Sequence, residues 1–331
     1  MIEVSLPPIV GNSPAIKKAI ALIERFAPSA LPVLLIGATG TGKELFARHI
    51  HWKSRRSGAL VDVNCGALPH DIAESLLFGH RRGAFTGAVE TVMGHFQRAS
   101  GGTLFLDEVL HLTTAAQVKV LRALENGEVQ PLGDWHKRSV DLRIVSAAQE
   151  DVGARLDRGD FRPDLFQRLA GIVIDLPCLA DRPEDIVPLA EHFAGSRGQV
   201  LEAETRHVLE EHSWPGNVRE LRLAIERARC LVENGTLPAT AVRDAIALGK
   251  LRQREDERRS RDRRGSGTDR RRRTRPPRAD DDLIAACHRF SYEALRVAKH
   301  FNIGLSTVYD RLKAAGTSMR ELRRSGMAEF C

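Results

Sequence analysis

GATGTGKE, the stretch from Gly37 to Glu44, decides the fold because it joins an apolar run to a segment with helical periodicity. A G-x-x-x-x-G-K pattern binds phosphate in this context, between a strand and the start of a helix. The backbone N–H groups can turn towards phosphate oxygens at the glycines of this pattern, Gly37, Gly40 and Gly42. Lys43 would reach the β- and γ-phosphates. Glu44 stands where Ser or Thr is usual, so one hydroxyl ligand for Mg²⁺ is missing.

Around this loop, short apolar runs bounded by Gly, Pro or polar residues predict buried strands at Leu31–Gly37, Ala59–Asn64, Gly102–Glu108, Val140–Ala148 and Gly171–Pro177. The segments between these runs are helical in pattern, as at Ala15–Arg25, Lys43–His51 and Ala115–Asn126. Strands that alternate with helices predict an α/β fold, in which a parallel sheet has helices on both faces.

The rest of the chain divides by composition. After the nucleotide-binding subdomain, 1–176, the strand signals vanish, and 177–249 predicts a small helical subdomain. Residues 250–282 lack apolar periodicity and predict a disordered, arginine-rich linker. The helical pattern returns in 283–331. The stretch Lys250–Arg278 holds fourteen basic and five acidic residues, so the net charge of +7 comes from this segment.

Cysteine usage and hydropathy bound the class of protein. The five cysteines are scattered and form no C-x-x-C pair, which argues against a zinc site or a disulfide framework and fits a reducing cytosol. The first residues lack the pattern of a signal peptide, and no apolar run approaches the roughly 18 residues that span a bilayer. We therefore expect a cytoplasmic protein without a membrane partner.

A second motif strengthens the prediction of nucleotide hydrolysis. GGTLFLDE ends an apolar strand with two adjacent acids, Asp107 and Glu108. The first acid can hold Mg²⁺ through its water shell, and the second can orient the attacking water. Alone, the first motif could be a chance match, and the second could be a polar strand end that meets a turn. Both motifs in this order, each after a strand, favour a nucleotide-hydrolysing site.

The sequence resembles the AAA+ domain of sigma-54-dependent transcriptional activators, the bacterial enhancer-binding proteins. The most specific motif is GAFTGA, which is intact at Gly83, Ala84, Phe85, Thr86, Gly87 and Ala88. A loop that must move and grip a protein needs both glycines and an apolar tip. In the family, this loop contacts sigma-54, so the resemblance implies sigma-54 RNA polymerase holoenzyme as a partner.

Other functional positions follow from the resemblance one at a time. The catalytic residues would be Glu108, Asn64, which holds Glu108 in an inactive pose, and the arginine fingers Arg162 and Arg168, which act across a subunit interface of a ring. Arg219, in WPGNVREL, would reach the nucleotide from the helical lid. The implied cofactors are Mg²⁺, held by Asp107, and ATP, bound by Gly37, Thr39, Gly40, Thr41, Gly42, Lys43, Glu44, Asp107, Gln149 and Arg219.

The chain also departs from the family pattern. Its sensor I strand ends in Ala148 and Gln149 instead of Thr-Asn. Acids that the family commonly has near GAFTGA are replaced by Leu76, Arg81 and Gln97. These positions belong to the network between the ATP site and the loop, so the substitutions put efficient coupling in doubt.

The C-terminal stretch Ser291–Gly316 resembles the Fis-type helix-turn-helix of the same activators, although Tyr292–Glu293 replaces the usual Gly-Asn. An ordinary helical hairpin remains an alternative. The recognition helix, Leu305–Ala314, would contact double-stranded DNA through Leu305, Ser306, Thr307, Tyr309, Arg311 and Lys313. For the arginine-rich linker, a solvated tether is favoured over a non-specific phosphate grip.

These observations predict a hexameric ATPase that remodels sigma-54 RNA polymerase holoenzyme into the open promoter complex from an upstream enhancer site. The alternative is a DNA-binding regulator that binds ATP but hydrolyses it poorly. The motif block already begins at IVGNSP, Ile9–Pro14. We therefore expect no N-terminal regulatory domain, unless one was removed, and control in trans through a binding protein, a partner subunit or the expression level.

Overall fold

The five predicted strands form one parallel sheet in the computed structural model, which describes residues 6–149, 152–196, 198–232 and 235–249. The strands are β1 (Val33–Ile36), β2 (Leu60–Asn64), β3 (Thr103–Asp107), β4 (Arg143–Ala148) and β5 (Ile172–Asp175). Their order across the sheet is β2-β3-β4-β1-β5, and all neighbours are parallel. The prediction of an α/β fold with a parallel sheet is confirmed.

The register of the sheet brings the predicted site residues to one edge. Ile36 at the end of β1 pairs with Ala148 of β4, and Asn64 of β2 pairs with Asp107 of β3. Because parallel strands end on the same side, the loops after β1, β2, β3 and β4 share this edge. Ligands of open α/β sheets bind at such an edge.

Helices cover both faces of the sheet and build the subdomain after it. Their bounds are α1 (Pro14–Phe26), α2 (Lys43–Ser54), α3 (Ala73–Phe78), α4 (His95–Arg98), α5 (Thr114–Asn126), α6 (Val152–Asp157), α7 (Pro163–Leu169), α8 (Ile186–Gly195), α9 (Ala203–Glu211), α10 (Asn217–Cys230) and α11 (239–249). Val33 and Leu35 share a core with α1 and α2, whereas Leu34 shares one with α5 and α7. In the described part of the chain, no helix is long and apolar enough to cross a membrane.

The helical subdomain, α8 to α11, has its own core around Trp214, which is 1% exposed. The indole Nε1 of Trp214 donates a hydrogen bond to the carbonyl of Leu209 at 2.8 Å. Contrary to the sequence prediction, this subdomain contains one strand pair, in which Val200–Leu201 runs parallel to Thr236–Leu237. A pair of two-residue strands has no periodicity to reveal it in the sequence.

Two short antiparallel ribbons were also not predicted. Gly79–His80 pairs with Val92–Met93, and Glu128–Val129 pairs with Arg138–Ser139. The second ribbon shortens β4, which was expected to begin at Val140 and begins at Arg143 instead. The N–H of Val140 bonds the carbonyl of Gly127 at 2.8 Å, so this residue closes the ribbon and does not join the sheet.

A buried carboxylate fastens the N-terminal segment to the helical subdomain. Asp185, whose side chain is fully buried, accepts hydrogen bonds from the N–H of Asn12 and from both the N–H and the hydroxyl of Ser13. The guanidinium of Arg182 lies 3.6 Å from the same carboxylate and is 3% exposed. Ser13 is also the N-cap of α1. Asp185 therefore joins the start of the α/β subdomain to the lid.

Replacing Asp185 by Ala should lower the free energy of unfolding by about 3–5 kcal/mol, because Arg182 would remain buried without its carboxylate. Urea unfolding followed by circular dichroism measures this change. Arg222→Ala is the control, since it removes an exposed pair with Glu226 and should alter stability by less than about 1 kcal/mol. A loss below about 1 kcal/mol for Asp185→Ala would contradict the prediction.

Candidate nucleotide site

The loop after β1 has the backbone of a phosphate-binding loop. Gly40 and Gly42 have φ values of 82° and 109°, which residues with a Cβ rarely adopt. Gly42 is also the N-cap of α2. No side chain caps this helix end, so its first N–H groups face the loop. The Nζ of Lys43 donates to the carbonyls of Gly37 at 2.7 Å and Ala38 at 3.0 Å. The loop therefore has the backbone conformation and the lysine that a phosphate site needs, and phosphate binding itself stays a prediction.

The helical subdomain holds three successive carbonyls of this loop. The Nδ2 of Asn217 donates to the carbonyl of Thr39 at 3.0 Å, and the N–H of Arg219 donates to that of Gly40 at 3.2 Å. The Nη2 of Arg182 donates to the carbonyl of Thr41 at 3.2 Å. The contact of Arg219 uses its backbone, so the predicted reach of its side chain to the nucleotide stays a prediction. The sequence prediction did not include Asn217 or Arg182. Both are almost fully buried, and only their polar character hints at long-range partners.

The approach of the lid is so close that it requires glycine in the loop. A Cβ on Gly40 would collide with the carbonyl oxygen of Gly216. The turn that carries this carbonyl is itself unusual, since Trp214 and Asn217 have φ values of 48° and 55°. Buried contacts of the Trp214 ring and the Asn217 amide hold the turn, because the amide oxygen of Asn217 also accepts from the N–H of Leu179 at 2.7 Å.

The two acids after β3 lie at the same edge of the sheet. The Oδ1 of Asp107 accepts a hydrogen bond from the N–H of Glu108 at 2.9 Å. Glu108 has a φ of 51°, so the chain turns sharply at this point. Its Oε2 lies 3.9 Å from the Nδ1 of His111 and also packs against Gly66, where a Cβ would collide with it. Glu108 is thus held in a tight turn at the end of β3, on the same edge of the sheet as the phosphate loop.

Asn64, the expected partner of Glu108, lies across Gly66 from it. The Oδ1 of Asn64 accepts a hydrogen bond from the N–H of Ala67 at 3.0 Å and caps the turn Cys65–Ala67. A Cβ on Gly66 would lie 3.3 Å from the Oδ1 of Asn64. The structure therefore brings both side chains to one glycine, and the role of Asn64 as a switch stays a prediction.

The donor set at this edge fits Mg²⁺ bound mainly by phosphate and water. Three acids, Asp62, Glu44 and Asp107, lie close together at this edge. Partial burial raises the pKa of Asp62, and the carboxylates of Glu44 and Asp107 raise it further. Glu44 forms an ion pair with Arg48 at 2.6 Å. Among the residues described, no three His, Cys, Asp or Glu side chains converge on a metal position. One or two carboxylates suffice for a cation that keeps its waters and phosphate ligands.

The remaining predicted nucleotide contacts differ in how close they come to the loop. The Nε2 of Gln149 donates to the Oγ1 of Thr39 at 3.3 Å, so the longer side chain at the sensor position does reach the phosphate loop. Arg162, at the start of α7, forms a bidentate pair with Asp164 at 3.0 and 2.6 Å. Arg168 donates to the carbonyl of Leu124 at 3.4 Å. Both arginines are therefore engaged within the chain, and their role at a subunit interface stays a prediction.

The GAFTGA segment forms an exposed loop between α3 and α4. Its base is closed by a hydrogen bond from the N–H of Gly83 to the carbonyl of Ala88 at 2.8 Å. Gly83 and Gly87 have φ values of 81° and 99°. Phe85 is 39% exposed, and its ring meets the ring of His80 edge to face at 5.0 Å. The segment is not a buried hairpin, because Ala88 is the one buried residue among its six.

The substituted positions near the loop have specific contacts. The Nε2 of Gln97 donates to the carbonyl of Phe78, the last residue of α3, at 3.2 Å. Arg81, which reverses a charge, has an acidic partner: its Nη1 lies 3.6 Å from the Oδ1 of Asp134. Leu76 is half-buried on α3. The residues predicted to contact DNA, Leu305 to Lys313, lie outside the described residues, as do the linker and the helix-turn-helix.

The chain matches two protein-family models. Residues 9–175 match the sigma-54 interaction domain, and residues 180–259 match the AAA+ ATPase lid domain. The C4-dicarboxylate transport transcriptional regulatory protein DctD of Rhizobium meliloti is 45% identical over 243 residues, which are 71% of this chain and 53% of DctD. The sigma54-dependent transcriptional regulator SfnR of Pseudomonas fluorescens is 41% identical over 251 residues, 73% of this chain and 67% of SfnR.

Among solved structures, NtrX from Brucella abortus in complex with ATP has 31% identity and a TM-score of 0.64, covering 94% of this chain and 70% of NtrX. The chain spans about half the length of the first of these curated relatives. Fold and site together define an AAA+ nucleotide-binding domain with a helical lid. Within that class, the chain belongs to the family of sigma-54-dependent transcriptional regulators.

Replacing Gly40 by Ala should weaken nucleotide binding at least about tenfold, equivalent to about 1.4 kcal/mol, because the new Cβ would push the lid off the loop. Titration with a fluorescent ATP analogue measures the affinity. Gly198→Ala is the matched control, since Gly198 has a similar φ of 79° but no atom within 4 Å of an added Cβ. Equal affinities of the two variants would show that the lid contact does not shape the site.

Proposed function

We propose that the protein is an ATP-dependent transcriptional activator that remodels sigma-54 RNA polymerase holoenzyme into the open promoter complex. One observation carries the proposal: an AAA+ nucleotide site and an exposed GAFTGA loop occur on the same subdomain. The exposed Phe85 gives that loop an apolar tip for a protein partner. Membership of the sigma-54-dependent family supports sigma-54 as that partner.

The residues at the sheet edge suit hydrolysis of ATP. Lys43 and the N-terminus of α2 would bind the phosphates. Mg²⁺ held by Asp107 would neutralise phosphate charge. The carboxylate of Glu108 would accept a hydrogen bond from the attacking water and orient it. The tight turn at Glu108 supports this role, because it fixes the carboxylate close to the end of β3.

A ring of subunits, which we take to be a hexamer, would complete each site. Arg162 directly precedes α7 and Arg168 lies near its C-terminal end. Both side chains are at least partly exposed, so a neighbouring subunit could bring its nucleotide to them. Arg162 would exchange its present partner, Asp164, for the γ-phosphate of that nucleotide. A guanidinium that exchanges one anionic partner for another keeps its charge-assisted hydrogen bonds, so the free-energy cost of this exchange is small.

A chain of contacts supports coupling between the nucleotide site and the GAFTGA loop. Glu108 packs on Gly66, which precedes α3, and α3 ends at Phe78. The Oγ of Ser75 bonds the Nδ1 of His80 at 2.7 Å, and the ring of His80 contacts Phe85. A shift of Glu108 on hydrolysis would reach α3 along the chain segment after Gly66, and α3 meets the tip of the loop through Ser75, His80 and Phe85.

We further propose that the segment 283–331, predicted to be a helix-turn-helix, binds an enhancer site on double-stranded DNA, and that the protein acts in the cytoplasm. The division of the chain into 1–176, 177–249, 250–282 and 283–331 is part of this proposal. The alternative function is a DNA-binding regulator that hydrolyses ATP slowly. The observation that favours it is Gln149, which replaces the usual Asn at the sensor position. The contact of Gln149 with Thr39 favours the ATPase.

Arg162→Ala should reduce ATP turnover about a thousandfold in the full chain, because arginine fingers contribute effects of this order. Phosphate release at saturating ATP measures turnover. Arg158→Ala is the control, since Arg158 is an exposed arginine on the same stretch that pairs with Asp160. If wild type and Arg162→Ala both hydrolyse ATP only at background, the ATPase function fails and the slow regulator is the better account.

Phe85→Ala should keep ATP turnover within about twofold of wild type and weaken binding of purified sigma-54 at least about tenfold, because an exposed anchor is lost without any change at the nucleotide site. Anisotropy of fluorescein-labelled sigma-54, measured with ADP and aluminium fluoride present, gives the affinity. Val89→Ala is the control, as Val89 is 80% exposed just beyond the motif. Undiminished binding by Phe85→Ala would remove the loop from the sigma-54 contact.

A further inference from the structure

The side chain of Gln117, in the first turn of α5, bridges two segments that are far apart in the sequence. It is almost fully buried, with 1% of the residue exposed. Its Nε2 donates hydrogen bonds to the carbonyl of Leu112 at 2.9 Å and to the carbonyl of Asp160 at 3.0 Å. Its Oε1 accepts a hydrogen bond from the N–H of Arg162 at 2.9 Å. One buried amide therefore joins the segment after β3 to the segment that enters α7.

These three hydrogen bonds select a glutamine. The two carbonyls can only accept and the backbone N–H can only donate, so the side chain must offer two donors and one acceptor at once. A carboxylate can only accept, a hydroxyl has a single proton, and an apolar side chain offers neither. Asparagine has the same groups on a shorter stem. Because an unpaired buried polar group costs free energy, the three partners also fix the orientation of the amide.

The first of these partners, Leu112, connects Gln117 to the turn that carries Glu108. From Glu108 the chain enters a single 3-10 turn, Val109–His111, and Leu112 follows directly. The N–H of His111 donates to the carbonyl of Glu108 at 2.9 Å. The carbonyl of Leu112 is therefore joined to the backbone of Glu108 through one hydrogen-bonded turn, and Gln117 holds the far end of that turn.

The other partners connect Gln117 to the start of α7. Arg162 is the N-cap residue of this helix, and no side chain caps the helix end. Gln117 holds the N–H of Arg162 and the carbonyl of Asp160, two positions earlier. The guanidinium of Arg162 extends from this backbone to the surface, where it pairs with Asp164 at 2.6 Å. Gln117 thus fixes the backbone from which the predicted arginine finger extends.

We propose that Gln117 is a positioning residue for the arginine finger, and that it fixes Arg162 relative to the turn of Glu108 in the same subunit. The inference rests on the proposed function, in which Arg162 acts on the nucleotide of a neighbouring subunit and Glu108 acts on the subunit's own nucleotide. Gln117 therefore joins the groups that one subunit contributes to two adjacent sites. A displacement of the Glu108 turn would reach Arg162 through two hydrogen bonds of one side chain.

The placement of Gln117 predicts an effect on turnover that is separate from an effect on nucleotide binding. A catalytic group that is misplaced by about 1 Å can lower a rate about a hundredfold. The phosphate loop and Lys43 follow β1, so they lie on other elements than Gln117 and its partners. Loss of the Gln117 bridge should therefore lower the rate of hydrolysis and leave the affinity for ATP nearly unchanged.

The first test compares turnover with affinity in the full chain. Gln117→Met, which keeps the length of the side chain and removes all three hydrogen bonds, should lower kcat at least about tenfold and keep the Kd for a fluorescent ATP analogue within about twofold. Phosphate release at saturating ATP measures kcat. Thr205→Val is the matched control, because it removes a buried hydrogen bond to the carbonyl of Leu237 in the lid and should hydrolyse ATP as wild type. Equal turnover of Gln117→Met and wild type would overturn the proposal.

The second test asks on which subunit's site Gln117 acts. Glu108→Gln subunits have an inactive site and an intact finger, whereas Gln117→Met subunits should have an intact site and a misplaced finger. When the two are mixed in equal amounts before assembly, the finger of one can serve the site of the other. The mixture should recover up to about a quarter of wild-type turnover, since each site of a cyclic ring takes its finger from one neighbour. Arg162→Ala mixed with Glu108→Gln is the positive control and should recover as much.

The mixtures separate this inference from the function on which it rests. If the Arg162→Ala mixture recovers turnover and the Gln117→Met mixture does not, Gln117 acts within its own subunit and the inference is wrong. If neither mixture recovers turnover, Arg162 is not a finger that acts across subunits, so that part of the proposed function fails and the inference fails with it.

A second variant keeps the proposal testable if Gln117→Met does not fold, as judged by circular dichroism. Gln117→Glu keeps the size of the side chain and the acceptor for the N–H of Arg162, but it loses both donated hydrogen bonds. It should show the same loss of turnover, the same ATP affinity and the same recovery in the mixture. Wild-type turnover by folded Gln117→Glu would overturn the proposal.

Discussion

Hydrogen bonds from the lid to three successive carbonyls of the phosphate loop are the constraint on which the rest of this structure depends. Asn217, Arg219 and Arg182 each hold one of them. A phosphate loop must point its N–H groups at its ligand, so its carbonyls face the other way and need donors. The lid supplies these donors and presses the carbonyl of Gly216 against Gly40. The conformation of the phosphate loop therefore depends on the lid as well as on the α/β subdomain, and a movement of the lid would change that conformation.

The same logic of shared support recurs on the path towards the GAFTGA loop. Glu108 and Asn64 both pack on Gly66, and the chain then enters α3 and reaches the loop through His80. From the sequence, the loss of acids near this path at Arg81 and Gln97 put efficient coupling between the ATP site and the loop in doubt. In the fold, Arg81 gains Asp134 from a neighbouring hairpin, and Gln97 holds the end of α3. Arg81 and Gln97 therefore have partners of their own, and whether coupling is efficient stays a prediction.

Local pattern made most of the sheet and the phosphate loop predictable, because buried parallel strands are short apolar runs and a phosphate loop needs its glycines at fixed spacing. The sequence did not reveal Asn217, Arg182 or Asp185, since their partners are far along the chain: Ser13 and Asp185 are separated by 172 residues. The sequence also did not reveal the ribbon of Glu128–Val129 and Arg138–Ser139, because two-residue strands have no periodicity. Spacing encodes local geometry, whereas a contact between distant segments leaves no trace in a single sequence.

The central claim is that this chain converts ATP hydrolysis into opening of a sigma-54 promoter. Permanganate footprinting of a sigma-54 promoter, with purified holoenzyme and the full chain at high concentration, tests it most directly. We expect reactive thymines around the start site only when both the chain and ATP are present, and none with ADP or a non-hydrolysable analogue. A promoter that stays closed with ATP, while the same preparation hydrolyses ATP, would contradict the claim and point to a different target for the motor.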